Sequence, residues 1–401
     1  MRTLVQDFLF LTSGRTFVQI SKFLIFLLLL KYADLEFNGF WSTYLVVVAF
    51  ATTSHLGILN GYMIKASAFY IKNAGKSRFC QLCQTTQLTI ISSAVFSGVV
   101  FFFLHSLFLN HPVLAGLSAI LLITQYFVFY IEIELSVRNQ YRRLNGWFFI
   151  SALLHFTGGW VGLYYGRAIG FLISQIISDL VSLGLTGDLW LGLSCFRLRL
   201  MGWLLKTGFP VTLSGWLQSL LLATDRLIIG LFLPPEQAGY YFVPVVFTSL
   251  FILFPRNLQR INITSAQPLK IAGINRLINR QLLWYLPLVF LFMVLCFFGI
   301  PPLLARFLPQ YRPAVPAFQI LLPGLFFLGM REILVSKYFL SRNRHWVTGF
   351  DALSVIINLI LNLVAYRLGW GITGIAGSSS ISYLINFICL YFWIPAIVKK
   401  P

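Results

Sequence analysis

The chain has 401 residues, 58% of them hydrophobic and 10% charged, with a formal net charge of +19 at pH 7. A soluble domain carries roughly 25% charged residues, so this chain cannot cover a water-facing surface and reads as an integral membrane protein. The positive charge does not point to nucleic acid, because its placement along the chain follows membrane topology.

A hydrocarbon core of about 30 Å takes about 20 apolar residues per helix. Twelve such runs follow one another, at roughly 12–31, 39–63, 82–105, 112–131, 147–165, 168–188, 207–231, 238–262, 282–300, 314–331, 346–366 and 371–397. They are expected to be helices, because a lipid-exposed backbone must satisfy its own hydrogen bonds. Runs such as Phe23 to Leu30 do not alternate as barrel strands do. No small-residue cleavage site follows the first run, and it belongs to an internal repeat, so it reads as structure and not as a signal peptide.

With both termini placed in the cytoplasm, the inner side collects Arg2; Lys65, Lys72, Lys76 and Arg78; Arg138, Arg142 and Arg143; Arg197, Arg199 and Lys206; Arg256 (at the boundary, where it can also point inward), Arg260, Lys270, Arg276 and Arg280; Arg331, Lys337, Arg342 and Arg344; and Lys399 and Lys400. The outer side holds only Lys31, Arg167, Arg306, Arg312 and Arg367. This bias follows the positive-inside rule and suits anionic lipid at the inner surface. The stretches Asp188–Lys206 and Asn262–Gln281 interleave Arg or Lys with apolar residues. The first looks surface-bound; the second fits either a short amphipathic helix on the inner leaflet or a solvated loop.

The chain nearly repeats itself after 200 positions. Leu35-Glu36-Phe37-Asn38-Gly39-Phe40-Trp41 matches Pro235-Glu236-Gln237-Ala238-Gly239-Tyr240-Tyr241 at the Glu, the Gly and the second aromatic. Ile120-Leu121-Leu122, Phe127, Glu132, Ser136 and Arg142 match Ile320-Leu321-Leu322, Phe327, Glu332, Ser336 and Arg342. An internal repeat sets the architecture before any local assignment. One unit used twice in a membrane is a plan of transporters, whose two lobes rock about a site between them.

Ionisable residues at membrane depth are costly and are functional candidates by default. Arg15 and Lys22 lie two turns apart on one face of the first helix, where either can also snorkel to the surface. His55 stands mid-span in the second helix, suited to an interhelical hydrogen bond or to a cavity lining. Asp225 and Arg226 are adjacent and point about 100° apart. Arg256 and Arg260 share a face after Pro255, and Pro244 and Pro255 are expected to break or kink that helix. Asn358 and Asn362 stack one turn apart. With Asp225 they present oxygens for a small hard cation such as sodium, or they form amide hydrogen bonds between helices. Gly371, Gly374, Gly377 and Ser378 to Ser380 suit close helix packing. Asp179 shows no evident partner. Cys80 and Cys83 make a lone CxxC, a weak signal for redox or metal chemistry.

Several stretches resemble the O-antigen (Wzx-type) flippases, in the polysaccharide-exporter branch of the multidrug/oligosaccharidyl-lipid/polysaccharide (MOP) transporter superfamily. They are Thr224-Asp225-Arg226-Leu227-Ile228-Ile229-Gly230 with Pro234 to Tyr241; Tyr311 to Gly324; Ile356 to Asn362 with Gly371-Ile372-Thr373-Gly374; and His55 to Gly61 with Gly75-Lys76. The likeness spans most of the chain. It implies an all-α membrane fold of twelve helices in two six-helix lobes, 1–195 and 196–401, around a V-shaped cavity, in the bacterial cytoplasmic (inner) membrane. It also implies a non-enzymatic flippase for an undecaprenyl-diphosphate-linked glycan, working beside polysaccharide-assembly proteins. In related lipid II flippases basic residues on the first, second and eighth helices line the cavity. The matching positions are Lys22, His55 and Arg256, with Arg15 beside them, and fewer arginines line the path here. Arg226 is added as a head-group ligand on its depth alone. Some relatives bind sodium on the seventh, eleventh and twelfth helices; Asp225, Asn358, Asn362 and Ser378 match, with an Asn where the family has a carboxylate. Coupling to Na+ or H+ is the expectation, with no resident cofactor.

Three other readings compete. A polymerase or ligase needs acid–base groups on a sizeable outer loop, and the outer loops are short. A cationic-drug exporter favours acidic groups in its cavity, where Asp179, Asp225 and Asp351 stand against several bases. A twelve-helix facilitator of another superfamily shares the same hydropathy.

Overall fold

Large apolar side chains crowd the outer surface here, while several carboxylates and amides lie wholly inside beside the apolar core. The computed structural model describes residues 2–51, 55–71, 76–109, 112–189, 197–265, 271–339 and 344–393. Among these, Phe96, Phe103, Tyr165, Leu283, Trp284 and Phe298 are exposed, whereas Glu134, Glu332, Asn358 and Asn362 are wholly buried. Exposed apolar surface on this scale belongs against lipid. The described residues are helical apart from turns, and nine helices are long and apolar enough to cross a membrane, or ten if one bent pair is a single span.

By contact clustering the chain forms two compact units: Met1–Ala33 with Val47–Trp216, and Asp34–Val46 with Leu217–Pro401. The first contains α1 (Arg2–Tyr32), α3 (Ile58–Ile71), α4 (Lys76–Leu109), α5 (Pro112–Val137) and α6 (Tyr141–Gly184), and α2 (Leu35–Ala51) lies mainly in the second. Within the first unit α5 packs between α4 and α6, α1 lies along α6, and α3 rests on α4 and α5.

α6 contains the two expected spans 147–165 and 168–188, folded back on each other at Arg167 (φ 49°, ψ −134°). Trp147 Nε1 reaches across to the Ser182 carbonyl at 3.0 Å, and Ser178 Oγ to the Leu154 carbonyl at 3.0 Å. Arg167 is exposed, and its backbone occupies a region that strains any side chain by about 1–3 kcal/mol. Arg167→Gly is expected to stabilise the protein by about 1 kcal/mol after glycine's greater unfolded-state entropy is offset. A thermal midpoint in detergent that fails to rise would show that this turn stores no strain. Near the start of α6, Arg143 Nη1 donates to Asp188 Oδ2 at 2.7 Å. That hydrogen bond holds the exposed Asp188 carboxyl below the usual carboxylate range.

The second unit adds the end of α7 (Leu198–Leu221), α8 (Thr224–Phe232), α9 (Pro235–Ser265), α10 (Ile271–Phe307), α11 (Val315–Phe339), α12 (Arg344–Arg367) and α13 (Gly371–Ile388). α11 packs against α9, α10 and α13, and α12 against α13 and α8. α9 runs through Pro244 and Pro255 without a break.

The repeated motif now has a physical account. Asp34 Oδ1 accepts the Phe37 N–H at 2.8 Å and caps the start of α2, and Pro235 starts α9 without a missing donor. Glu36 and Glu236 then sit in the first turns, facing the positive ends of the helix dipoles. The glycines let the two copies touch. A Cβ on Gly39 would lie 2.8 Å from the Pro235 carbonyl oxygen, and one on Gly239 only 2.2 Å from that of Leu35. Each glycine therefore meets the first residue of the other copy.

Parts of the expected interfacial stretches, 190–196 and 266–270, lie outside the described residues, as do Lys72, Arg342, Lys399 and Lys400.

Candidate functional site

Two expected spans are broken, and the breaks organise much of the polar chemistry. The first lies between α2 and α3. His55 is 2% exposed, and its Nδ1 accepts the Gly57 N–H at 3.0 Å. Leu56 and Gly57 take positive φ, 52° and 101°. His55 therefore shapes a turn inside the second span, which is not the continuous helix expected over 39–63. A Cβ on Gly208 would stand 1.8 Å from the Gly57 oxygen, so the turn meets α7 backbone to backbone. Asn60 Nδ2 adds a hydrogen bond to Thr212 Oγ1 at 2.6 Å.

The second break separates α7 from α8, which bend by 52°. A broken helix frees carbonyls that lipid cannot satisfy. Here two side chains take them: Asn358 Nδ2 reaches the Leu221 oxygen at 3.0 Å and Arg226 Nη2 the Leu222 oxygen at 2.8 Å, while the Leu220 oxygen accepts both the Ala223 N–H at 3.0 Å and Thr224 Oγ1 at 2.6 Å. Asp225, on the first turn of α8, accepts from Tyr241 Oη and the Arg226 N–H, both at 2.7 Å. Tyr241 is the last residue of the repeated motif. Asn362 Nδ2 donates to Asn358 Oδ1 at 2.9 Å. The Asn362 Oδ1 is buried with no hydrogen-bond partner among the described residues, an open oxygen that fits a hard cation. Ser378 Oγ lies within 3.1 Å of the Leu361 and Gly374 carbonyls. The structure thus links Asn358 and Asn362 directly and ties both to the break that carries Asp225.

The matched glutamates of the repeat share one task. Glu132 on α5 takes an ion pair from Arg15 of α1, and Glu332 on α11 takes a hydrogen bond from Gln218 of α7. In each half, the glutamate ties its helix to the half's first long helix. Arg15 also lies over the Phe148 ring at 5.9 Å. Of the other candidates, Arg226 sits 4.0 Å from Asp225, while Lys22 is exposed and Arg256 half-buried, neither with a carboxylate partner among the described residues.

Two buried clusters escaped the sequence reading. Arg331, 1% exposed, pairs with Asp351 of α12 and with Glu332 at 2.8 Å. The sequence placed Arg331 among the cytoplasmic bases; it lies inside the unit. Matched depth on antiparallel α11 and α12 was the available signal. In the first unit, Glu134 is wholly buried and accepts Tyr62 Oη and Arg138 Nε, each at 2.6 Å. Cys83 Sγ lies 3.3 Å from Tyr130 Oη and 3.5 Å from Glu134, so one member of the CxxC belongs to this network. Among the described residues no group of His, Cys, Asp and Glu is placed to hold a metal ion.

No protein-family model and no curated protein matches the sequence. Solved structures do match. The lipid II flippase MurJ in an inward-closed conformation shares 16% identity over 96% of this chain and 87% of its own, with a TM-score of 0.71. A MATE transporter of Vibrio cholerae shares 14% over 100% and 98%, with a TM-score of 0.69. A MOP superfamily transporter from Pyrococcus furiosus shares 11% over 99% and 96%, with a TM-score of 0.65. The chain has the all-helical fold of the MOP superfamily transporters.

Proposed function

We propose that the chain is a flippase of the bacterial inner membrane. It moves an undecaprenyl-diphosphate-linked oligosaccharide from the cytoplasmic to the outer leaflet by alternating access. The observation that carries this reading is the inequality among the basic residues of its helices. Arg15, Arg138 and Arg331 are neutralised by carboxylates, whereas Lys22 and Arg256 have none among the described residues. An unpaired cation at membrane depth is stable only where it meets an anion or water. The fold shared with a lipid II flippase supports the same conclusion.

The prenyl tail can stay in lipid while the diphosphate crosses about 30 Å of hydrocarbon. Lys22, Arg226 and Arg256 pair with phosphate oxygens, the arginines bidentately, with Arg15 and His55 beside them. The lobes 1–195 and 196–401 then rock, and the ligand drives the change by binding one state better than the other. Asp225, Asn358, Asn362 and Ser378 hold a monovalent coupling cation, with the Asn362 oxygen as its open ligand.

The Lys22→Ala and Arg256→Ala variants are expected to reach the membrane at normal levels and to lose at least tenfold in outer-leaflet exposure of lipid-linked glycan. Each removes a charge-assisted contact that contributes about 1.5–3 kcal/mol. Full activity in both would remove this site. A cation-coupled multidrug exporter is the second reading, favoured by the MATE transporters that share the fold. Efflux of a cationic dye, lost in Asp225→Asn and intact in Lys22→Ala, would select it.

A further inference from the structure

The arms of α6 carry a polar cluster that the proposed path does not use. His155 lies on the first arm, Gln175 and Asp179 lie one turn apart on the second, and Thr124 of α5 joins them. Asp179 is 1% exposed, and the His155 side chain is 20% exposed. Gln175 Nε2 donates to the His155 carbonyl at 3.0 Å, which turns Gln175 Oε1 toward His155 Nδ1 at 2.8 Å. An amide oxygen only accepts, so Nδ1 carries a hydrogen. The other ring nitrogen, Nε2, lies 3.1 Å from Asp179 Oδ1.

A neutral imidazole has one N–H, and Nδ1 holds it. Nε2 and an ionised Asp179 would then meet lone pair to lone pair, in a low-dielectric interior where unmatched polar contacts are most costly. One more proton removes the conflict. It sits on Nε2 of an imidazolium, or on Oδ1 of a carboxylic acid that donates to Nε2. Both are placements of one proton in a coupled pair. The single Thr124 hydroxyl hydrogen has two acceptors in range, Asp179 Oδ2 at 2.6 Å and the Leu121 carbonyl at 2.9 Å, so it can follow the charge on Asp179.

We propose that His155 and Asp179 form a proton-binding site, which holds one exchangeable proton between Nε2 and Oδ1 and exchanges it through the partly exposed imidazole edge. The neighbouring charges leave this proton to the pair. On α5 the facing group is Thr124; Glu132 and Glu134 lie about 12–15 Å further along that helix and are paired with Arg15 and Arg138. On α1, Ser21 donates to the Ala152 carbonyl at 2.8 Å, and the next residue, Lys22, is exposed. On α6 itself no other ionisable side chain lies within two turns of His155 or Asp179. Use of the proton to drive transport rests on the proposed function; its binding does not.

The test uses the full-length protein in lipid nanodiscs without substrate, with nitrogen-15-labelled histidine. The sequence has five histidines, and the His155 resonances are assigned by their loss in His155→Gln. The expected spectrum shows His155 protonated at Nδ1 and strongly hydrogen-bonded at Nε2, and on alkalinisation the wild type releases one proton more than Asp179→Asn. The Asp179→Asn variant keeps the packing of the cluster, because its side-chain amide can donate to Nε2; an unchanged thermal midpoint in that variant verifies this. A bare Nε2 beside an ionised Asp179, or equal proton release, overturns the proposal. Because no glycan is involved, failure of the flippase reading would leave this proton count unchanged.

Discussion

Arg331→Met is expected to destabilise the folded protein by about 3–5 kcal/mol, the range for removing one member of a buried ion pair. The guanidinium is 1% exposed and stands between two carboxylates, Asp351 and Glu332, themselves 1% and 0% exposed. Its loss strands both in a medium that cannot hydrate them. The readout is the thermal midpoint in detergent together with the level in the membrane. Arg331→Met combined with Glu332→Gln and Asp351→Leu should recover most of the loss, because well-packed neutral groups often replace a buried ion network at little cost. A single variant within about 1 kcal/mol of wild type would mean that water reaches this network.

Gly39→Val is expected to destabilise the folded protein by about 1–3 kcal/mol, read as a lower thermal midpoint in detergent. The Cβ would arrive 2.8 Å from the Pro235 oxygen and 3.0 Å from the Gly239 nitrogen, and backbone cannot turn aside as a side chain can. Overpacking of this kind typically destabilises the contact by about 1–3 kcal/mol, a shift of roughly 5–150-fold against any state that contains it. Both segments belong to the second compact unit, so the cost falls on the packing of that unit. Gly239→Val attacks the same contact from the other copy and should behave alike. A wild-type thermal midpoint in both variants would show that this contact relaxes at little cost.

The repeat shows how far the residues alone carry the argument. The shared Glu and Gly at 36/236 and 39/239 marked two equivalent segments, and the structure supplies their chemistry: a helix start, a dipole partner and a point of contact. What the pattern could not reveal is that the copies touch each other, because contact depends on where distant helices pass. The same gap explains Asp179. It looked partnerless because His155 lies on another arm of the hairpin, brought opposite only by the reversal at Arg167. Arg331 looked cytoplasmic because hydropathy places the end of a span to within a turn or so, and one turn separates a solvated arginine from a buried one. Asn358 and Asn362 were legible as a stacked pair. That Asn358 caps a break in another helix required the break itself, which hydropathy does not register.

The amino-acid sequence alone determined that this is a many-helix membrane protein built on an internal repeat, because the energy of burying backbone and charge in hydrocarbon is a local property of each segment. The tertiary structure alone decided which charges are neutralised and which stay unpaired, because an ion pair depends on a few ångströms between side chains far apart in the chain.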